Sequence, residues 1–241
     1  MLNLSRFTPA RLLDQLLPAP CLLCGLASAD YRLLCPECDA ALPRLRHERY
    51  LCGCCALPLS SDASLCGKCL HKPPAFSQSS IAFRYAHPLD SLIQQFKYRR
   101  QLSNGKLLAS LLADACQHSE RPDVLVPAPM HWRKRWQRGF NQSELLAHWA
   151  GKALVIPVLS ACKQTRHHHS QKGLGRRERL KNQRQSFELN SAVIHQLANK
   201  HVALVDDVVT TTATARALSE LLIKAGAQRV DIWALARTPD H

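Results

Sequence analysis

The chain has 241 residues, 46% of them hydrophobic, and its 32 Lys and Arg outnumber 18 Asp and Glu for a formal charge of +14. The length suits one core domain plus an extension, and the apolar content excludes an intrinsically disordered chain. No apolar run is long enough to span a bilayer, so a membrane-spanning helix is excluded and a cytoplasmic protein is expected.

The first segment, Met1–Pro20, scatters leucines around Arg6 and Arg11 without a continuous apolar stretch or a small-residue cleavage site, so it does not read as a signal peptide. Ala10–Leu17 is predicted to form a short amphipathic helix leading into the first cysteines. Nine of the eleven cysteines then fall before residue 70, and their spacing repeats. Cys21 and Cys24 are followed, after ten residues, by Cys35 and Cys38; Cys52 and Cys55 are followed, again after ten, by Cys66 and Cys69. Each CxxC turn places two thiolates on one side of a bend, as tetrahedral zinc requires, and Gly25, Gly53 and Gly67 supply tight turns. In a cytoplasmic chain such sets favour metal over disulfides, whereas a redox CxxC needs only one pair. Sequential and interleaved pairing are both compatible with the spacing, as is occupation of one set only, with Cys54 left over. No ligand position stays open for water, which makes the zinc structural, and its binding should supply most of the folding energy of a segment poor in apolar residues. Cys116 and Cys162 sit in apolar surroundings and are expected in the core.

Lys72-Pro73-Pro74 marks a boundary between a zinc-binding part, residues 1–72, and a second domain, residues 73–241. Strands are predicted at Ser80–Tyr85, Asp123–Pro127, Leu154–Leu159, His201–Val205 and Arg229–Ala236. Helices are predicted at Leu89–Tyr98, Lys106–Ala115, Asn141–Lys152 and Ala213–Ala225, the last closed by Gly226. Nearly all-apolar strands alternating with helices indicate an α/β fold with a parallel sheet covered on both faces. Ligands bind such sheets at the carboxyl ends of the strands, where loops 127–140, 160–185 and 206–214 should converge.

The first loop interleaves Trp132, Trp136 and Phe140 with Arg133, Lys134, Arg135 and Arg138. Arg138 and nearby amides suit a pyrophosphate, and the aromatic rings suit stacking on unpaired bases. The second loop carries His167, His168, His169 and Gln171 among many Arg and Lys, as a mobile lid over an anionic substrate would; adjacent His residues do not converge on one metal ion. From residue 131 to 184 thirteen Lys and Arg face only Glu144 and Glu178, so most of the net charge is concentrated there. Such a field attracts polyanions, nucleic acid or pyrophosphate.

The third loop follows the buried run Val202–Val205. Asp206 and Asp207 come next, then Val208 and Val209, then Thr210, Thr211, Thr212 and Thr214 at the start of a helix. The carboxylates are expected at a solvent-facing strand end. They cannot hold a phosphate, but they can accept hydrogen bonds from ribose 2′- and 3′-hydroxyls. The hydroxyl-rich helix start favours an anion. One ligand carrying both a diol and a 5′-phosphate satisfies both halves. The pattern resembles the phosphoribosyl-pyrophosphate (PRPP) motif of type I phosphoribosyltransferases, with Thr212 standing where Gly is usual.

The whole chain also resembles the ComF/GntX family of bacterial competence and DNA utilisation. The resemblance rests on the CxxC pairs, Phe96-Lys97-Tyr98, Val126-Pro127-Ala128-Pro129, Arg138-Gly139-Phe140-Asn141-Gln142, Gln171 to Leu174, Arg179, Asn182, Phe187 and the Asp206-Asp207 run. Departures are Ala128 for Val, His168 for Thr and Thr212 for Gly. The resemblance implies a zinc-binding part before a phosphoribosyltransferase-like domain, binding of PRPP and single-stranded DNA, and other DNA-uptake or recombination proteins as partners.

Two functions follow from these readings. In the first, the protein is a magnesium-dependent transferase acting on PRPP: Asp206 and Asp207 hold the ribose hydroxyls and steady positive charge at the anomeric carbon. Thr210, Thr211, Thr212 and Thr214 then cradle the 5′-phosphate, and Arg138 faces the magnesium-bridged pyrophosphate. No Ser/His/Asp or Cys/His arrangement suggests nucleophilic catalysis. In the second, the protein is a non-catalytic single-strand adaptor whose PRPP site is a sensor or a relic. No hydrophobic acceptor-base segment is identifiable to favour the first.

Overall fold

The computed structural model describes residues 20–26, 33–165 and 186–239. The predicted helix at Ala10–Leu17 and most of the 160–185 loop lie outside them. In chain order the elements are α1 (Pro36–Ala40), α2 (Gly67–His71), β1 (Ser79–Arg84), α3 (Leu89–Arg99), α4 (Leu102–Cys116), β2 (Val124–Pro127), α5 (Trp132–Arg138) and α6 (Gln142–Leu154). There follow β3 (Cys162–Gln164), β4 (Phe187–Leu189), β5 (His201–Val209), α7 (Ala213–Lys224) and β6 (Arg229–Arg237).

Four strands form one sheet in the order β1-β6-β5-β2, and every neighbouring pair is parallel. The parallel α/β class expected from the apolar runs is therefore the one observed. Side chains alternate across β5. Ala203 and Val205 join Phe83, Leu92, Phe96, Leu108, Leu146 and Trp233 on one face, beneath α3, α4 and α6. Val202 and Leu204 join Val126, Leu218, Leu222 and Ile232 on the other, beneath α7. Helix α7 buries Ala215, Leu218 and Leu222, the stripe that a 3.6-residue repeat gives. Helix α6 starts on an Asn141 cap whose side chain accepts from the Ser143 N–H, with Glu144 in the first turn and Lys152 in the last, as the helix dipole favours.

The cysteine sets do not pack on a core of their own. Cys21 and Cys35 share the first cluster, while Cys52, Cys55, Cys66 and Cys69 share the second. The two sets therefore lie against opposite faces of the sheet. Cys116 and Cys162 are buried in the core, and burial pushes the Cys162 thiol up to about 12.

Three local expectations change. Leu154–Leu159 is not a full strand: α6 runs to Leu154, Val155 turns in the left-handed region (φ 55°), and Pro157 lacks an N–H. What remains is one parallel bridge, Leu125 to Val158, with the Leu125 N–H donating to the Pro157 carbonyl. The 127–140 segment is not all loop, because Trp132–Arg138 forms α5. The His131 ring accepts from the Arg133 N–H at its start, and Gly139 closes it at φ 90°. Finally, Cys162–Gln164 at the start of the 160–185 segment pairs with Phe187–Leu189 just beyond its end as an antiparallel ribbon, β3 with β4.

Candidate functional site

Strand β5 outruns β2. Pro127 pairs with Val205 as the last partner on that side, whereas Asp206, Val208 and Val209 continue against Ala234, Ala236 and Arg237 of β6. The strand thus extends past Val205, where it was expected to end, and the acidic pair lies within it, at a step in the sheet where one neighbour has stopped. The pair is not uniformly solvent-facing as expected: Asp207 is 5% exposed, because its side chain alternates onto the buried side.

Each carboxylate has a defined partner. Asp207 forms an ion pair with Lys97 Nζ from α3, and its Oδ1 accepts from the Val208 N–H (2.9 Å). Asp206 Oδ1 accepts from Ser143 Oγ (3.0 Å) and from the Asp207 N–H (2.9 Å). Burial, and then the neighbouring Asp207 carboxylate, push the Asp206 carboxyl up to about 7, against the opposing pull of the Asp207 amide, Ser143 and Lys97.

The segment Arg138–Gln142 explains how Ser143 reaches Asp206. Asn141 donates through Nδ2 to the Ala128 carbonyl (3.0 Å) and accepts from the Ser143 N–H (3.1 Å), tying the turn after β2 to the start of α6. Phe140 stacks on Phe96 of α3 at 5.1 Å between ring centres, and Arg138 donates to Gln142. The junction is thereby pinned on both sides.

Beyond β5, Thr210 and Thr211 are exposed and Thr214 is half-buried in the first turn of α7. Thr212 is buried in the left-handed conformation (φ 62°, ψ 2°) and gives α7 no side-chain cap. This backbone favours glycine, which accounts for the Gly usual at the position in the resembling motif. The Thr212 hydroxyl instead accepts from Arg216 Nε at 3.1 Å. The carbonyls of Val209 and Thr210 are both held by the Arg237 guanidinium.

Arg138 does not join the threonines. With Lys97, Tyr98, Arg100, Lys134 and Gln137 it lines a cleft of about 400 Å³ between α3 and α5, with its guanidinium 5.2 Å from the Tyr98 ring centre. Lys97 belongs both to this cleft and to the acidic pair, so the two adjoin. Trp132 and Trp136 are 63% and 83% exposed, and Arg133 lies over the Trp132 ring. Arg135 is turned to Glu144 at 3.2 Å. The structure therefore brings Asp206, Asp207 and the threonines together on one strand-loop-helix junction and sets the basic aromatic helix beside it. Lys97, Ser143, Arg216 and Arg237 were not singled out from the sequence; of these only Lys97 carried a signal, as part of Phe96-Lys97-Tyr98.

The cysteine sulfurs group sequentially: Cys21, Cys24, Cys35 and Cys38 in one set, Cys52, Cys55, Cys66 and Cys69 in the other, with all sulfurs of a set within 4.8 Å of one another. Cys24 and Cys35 stand 3.8 Å apart and Cys55 and Cys66 3.7 Å. A zinc–sulfur bond near 2.3 Å gives a tetrahedral edge of about 3.8 Å, so both sets fit zinc. Cys54 lies outside them, its sulfur near the Phe76 carbonyl. Burial alone would push Cys21 up, but the N–H groups of Cys24, Cys35 and Leu23 bring it down to about 6, while the neighbouring thiols push Cys38 up. Among the described residues no helix is long and apolar enough to cross a membrane.

Residues 12–70 match the double zinc ribbon domain. Over 211 residues the chain is 34% identical to competence protein F of Haemophilus influenzae, covering 85% of this chain and 90% of that one. It is 35% identical over 229 residues to the DNA utilization protein YhgH of Escherichia coli, covering 92% and 98%. Competence protein ComFC of Streptococcus pneumoniae is 26% identical over 230 residues. Solved structures with a similar fold include the allosteric regulatory enzyme of purine biosynthesis (21% identity, TM-score 0.39, covering 54% of this chain and 25% of that one). Another is the purine phosphoribosyltransferase of Pyrococcus horikoshii (19%, TM-score 0.34, covering 54% and 70%).

Proposed function

The chain belongs to the family of competence protein F and the DNA utilization protein YhgH, and within it we propose a PRPP-binding, phosphoribosyltransferase-like protein that binds single-stranded DNA during DNA uptake or utilisation. One observation carries this reading: a carboxylate pair at the step between β2 and β5 lies on the same short segment as the hydroxyl loop that opens α7, and beside a cationic cleft.

In this reading Asp206 accepts from a ribose hydroxyl, while Ser143 fixes its orientation. Asp207, held by Lys97, keeps negative charge under the ring where positive charge develops during transfer. Thr210, Thr211, Thr214 and the N–H groups of the first turn of α7 take the 5′-phosphate. Arg138, Arg100 and Lys134 face the pyrophosphate or the next phosphate of a strand. Among the described residues no His, Asp and Glu converge on a metal cage, so magnesium would arrive on the pyrophosphate with most of its waters and neutralise the leaving group. Zinc in the two ribbons is structural.

Trp132 and Trp136 are exposed rather than packed on the sheet, which supports a strand-binding face and equally serves the non-catalytic adaptor reading. Magnesium-dependent PRPP binding measured by calorimetry tests the first step. Pyrophosphate release with and without single-stranded DNA then separates transferase from adaptor. A folded protein with no PRPP affinity would overturn the proposal.

A further inference from the structure

The second cysteine set and the hydroxyl loop meet through single side chains. Arg216, in the first turn of α7, sends Nε to Thr212 Oγ1 (3.1 Å), Nη1 to the Lys72 carbonyl (2.6 Å) and Nη2 to Cys69 Sγ (3.5 Å). At the other end of the loop Arg237, 2% exposed, holds the Val209 and Thr210 carbonyls with Nη1 and donates through Nε to the Cys55 carbonyl (3.3 Å). Both ends of the loop are thus moored to ligand residues of one set, Cys55 and Cys69. The described hydrogen bonds of Cys21, Cys24 and Cys35 stay within residues 21–39 and reach no part of the 206–214 segment.

We infer that Arg216 is a positioning residue through which metal in the Cys52, Cys55, Cys66 and Cys69 set holds the hydroxyl loop in shape. The physical reason lies in Thr212. A β-branched residue is sterically unfavourable at φ 62°, and its hydroxyl is kept there by a guanidinium whose other two arms grip the ribbon. Zinc fixes the place of the Cys69 sulfur and leaves negative charge on it, which a guanidinium N–H meets well. Without metal the four sulfurs lose their common centre, and the anchors at Cys69 and Lys72 move with the ribbon. A glycine at 212 needs no such brace, because it adopts this backbone without steric cost. The coupling from metal to loop stands on these contacts; its effect on ligand affinity rests on the PRPP reading.

Amide hydrogen exchange of peptides covering 207–217, in the zinc-loaded full chain without ligand, tests the coupling directly. Arg216→Ala should raise exchange there by about tenfold while zinc content is unchanged. Adding Thr212→Gly to that variant should return protection, and Arg216→Lys, which cannot make all three bonds, should not. Cys66→Ser should loosen the loop and Cys38→Ser should not. Should Cys66→Ser fail to fold, the Arg216 and Thr212 variants still decide. Unchanged exchange in Arg216→Ala, or no recovery with Thr212→Gly, would overturn the inference. In parallel, PRPP affinity should fall about tenfold in Arg216→Ala and recover with Thr212→Gly. If no variant, wild type included, binds PRPP while exchange behaves as stated, the PRPP reading fails and the coupling remains.

Discussion

Lys97 Nζ and the Asp207 carboxylate form an ion pair at the step in the sheet, with side chains only 17% and 7% exposed. A pair this dry contributes little net stability while intact, but losing one member leaves an uncompensated charge in the protein interior. Lys97→Met should therefore cost about 3–5 kcal/mol in urea unfolding. Adding Asp207→Asn should recover most of that loss, because no charge is then stranded. A double variant as unstable as the single one would show that Lys97 matters for packing and not for charge.

The Asp206 carboxyl stands at about 7 against an ordinary 3.8. Folded protein therefore holds a proton that the unfolded chain has released, and stability falls as pH rises from about 4 to 7, then levels. Wild type should lose more stability than Asp206→Asn between pH 5 and 7.5, read as the shift in urea midpoint. Equal shifts in the two proteins would place the titration elsewhere. Ser143→Ala removes a donor to the ionised form and should move the transition to higher pH. If PRPP is the ligand, its affinity should rise through the same window, because the ionised carboxylate is the stronger acceptor for a ribose hydroxyl.

Both cysteine sets have the geometry of zinc sites. Metal analysis of protein purified under reducing conditions should find two zinc ions per chain, one for each set. Cys38→Ser should release one and lower the melting temperature. Cys54→Ser should release none, since its sulfur stands apart from both sets. Loss of metal from Cys54→Ser would reassign the second site.

On the basic helix the cations are not equivalent. Lys134 faces the open cleft, whereas Arg135 is engaged by Glu144. Lys134→Gln should lower the salt slope of single-strand binding by about 1, and Arg135→Gln by less. Trp136→Ala should weaken binding by about 1–3 kcal/mol with little change in slope, because stacking releases no counterions. Filter binding from 50 to 200 mM salt reads both numbers.

What the sequence makes legible follows from range. Val202–Val205 and Ile232–Ala236 are continuous apolar runs, and such runs are what a parallel sheet buried on both faces demands. The cysteine repeat is equally local. Helix α5 escapes this reading because none of its residues is buried, so no apolar stripe betrays it. The ribbon of β3 and β4 escapes because three-residue strands show no period. The partners in the site lie further apart still: Ser143 and Asp206 are separated by 63 positions, Arg216 and Cys69 by 147, Arg237 and Cys55 by 182. Nothing local marks Arg216 or Arg237, since an arginine on a helix or at a strand end is ordinary.

The order β1-β6-β5-β2 puts the last of the described strands, residues 229–237, in the interior of the sheet. During synthesis β1 and β5 are therefore made before the strand that joins them, and until Arg237 has left the ribosome the sheet lacks its connecting member. Both cysteine sets, by contrast, are complete once residue 69 has emerged. Metal capture can begin on the nascent chain, while closure of the sheet waits until residues 229–237 have emerged, since distant strand pairings form late. A chain cut short before residue 229 would carry loaded ribbons with β1 lacking its sheet partner and β5 open on its β6 side, a form suited to recognition by chaperones and proteases.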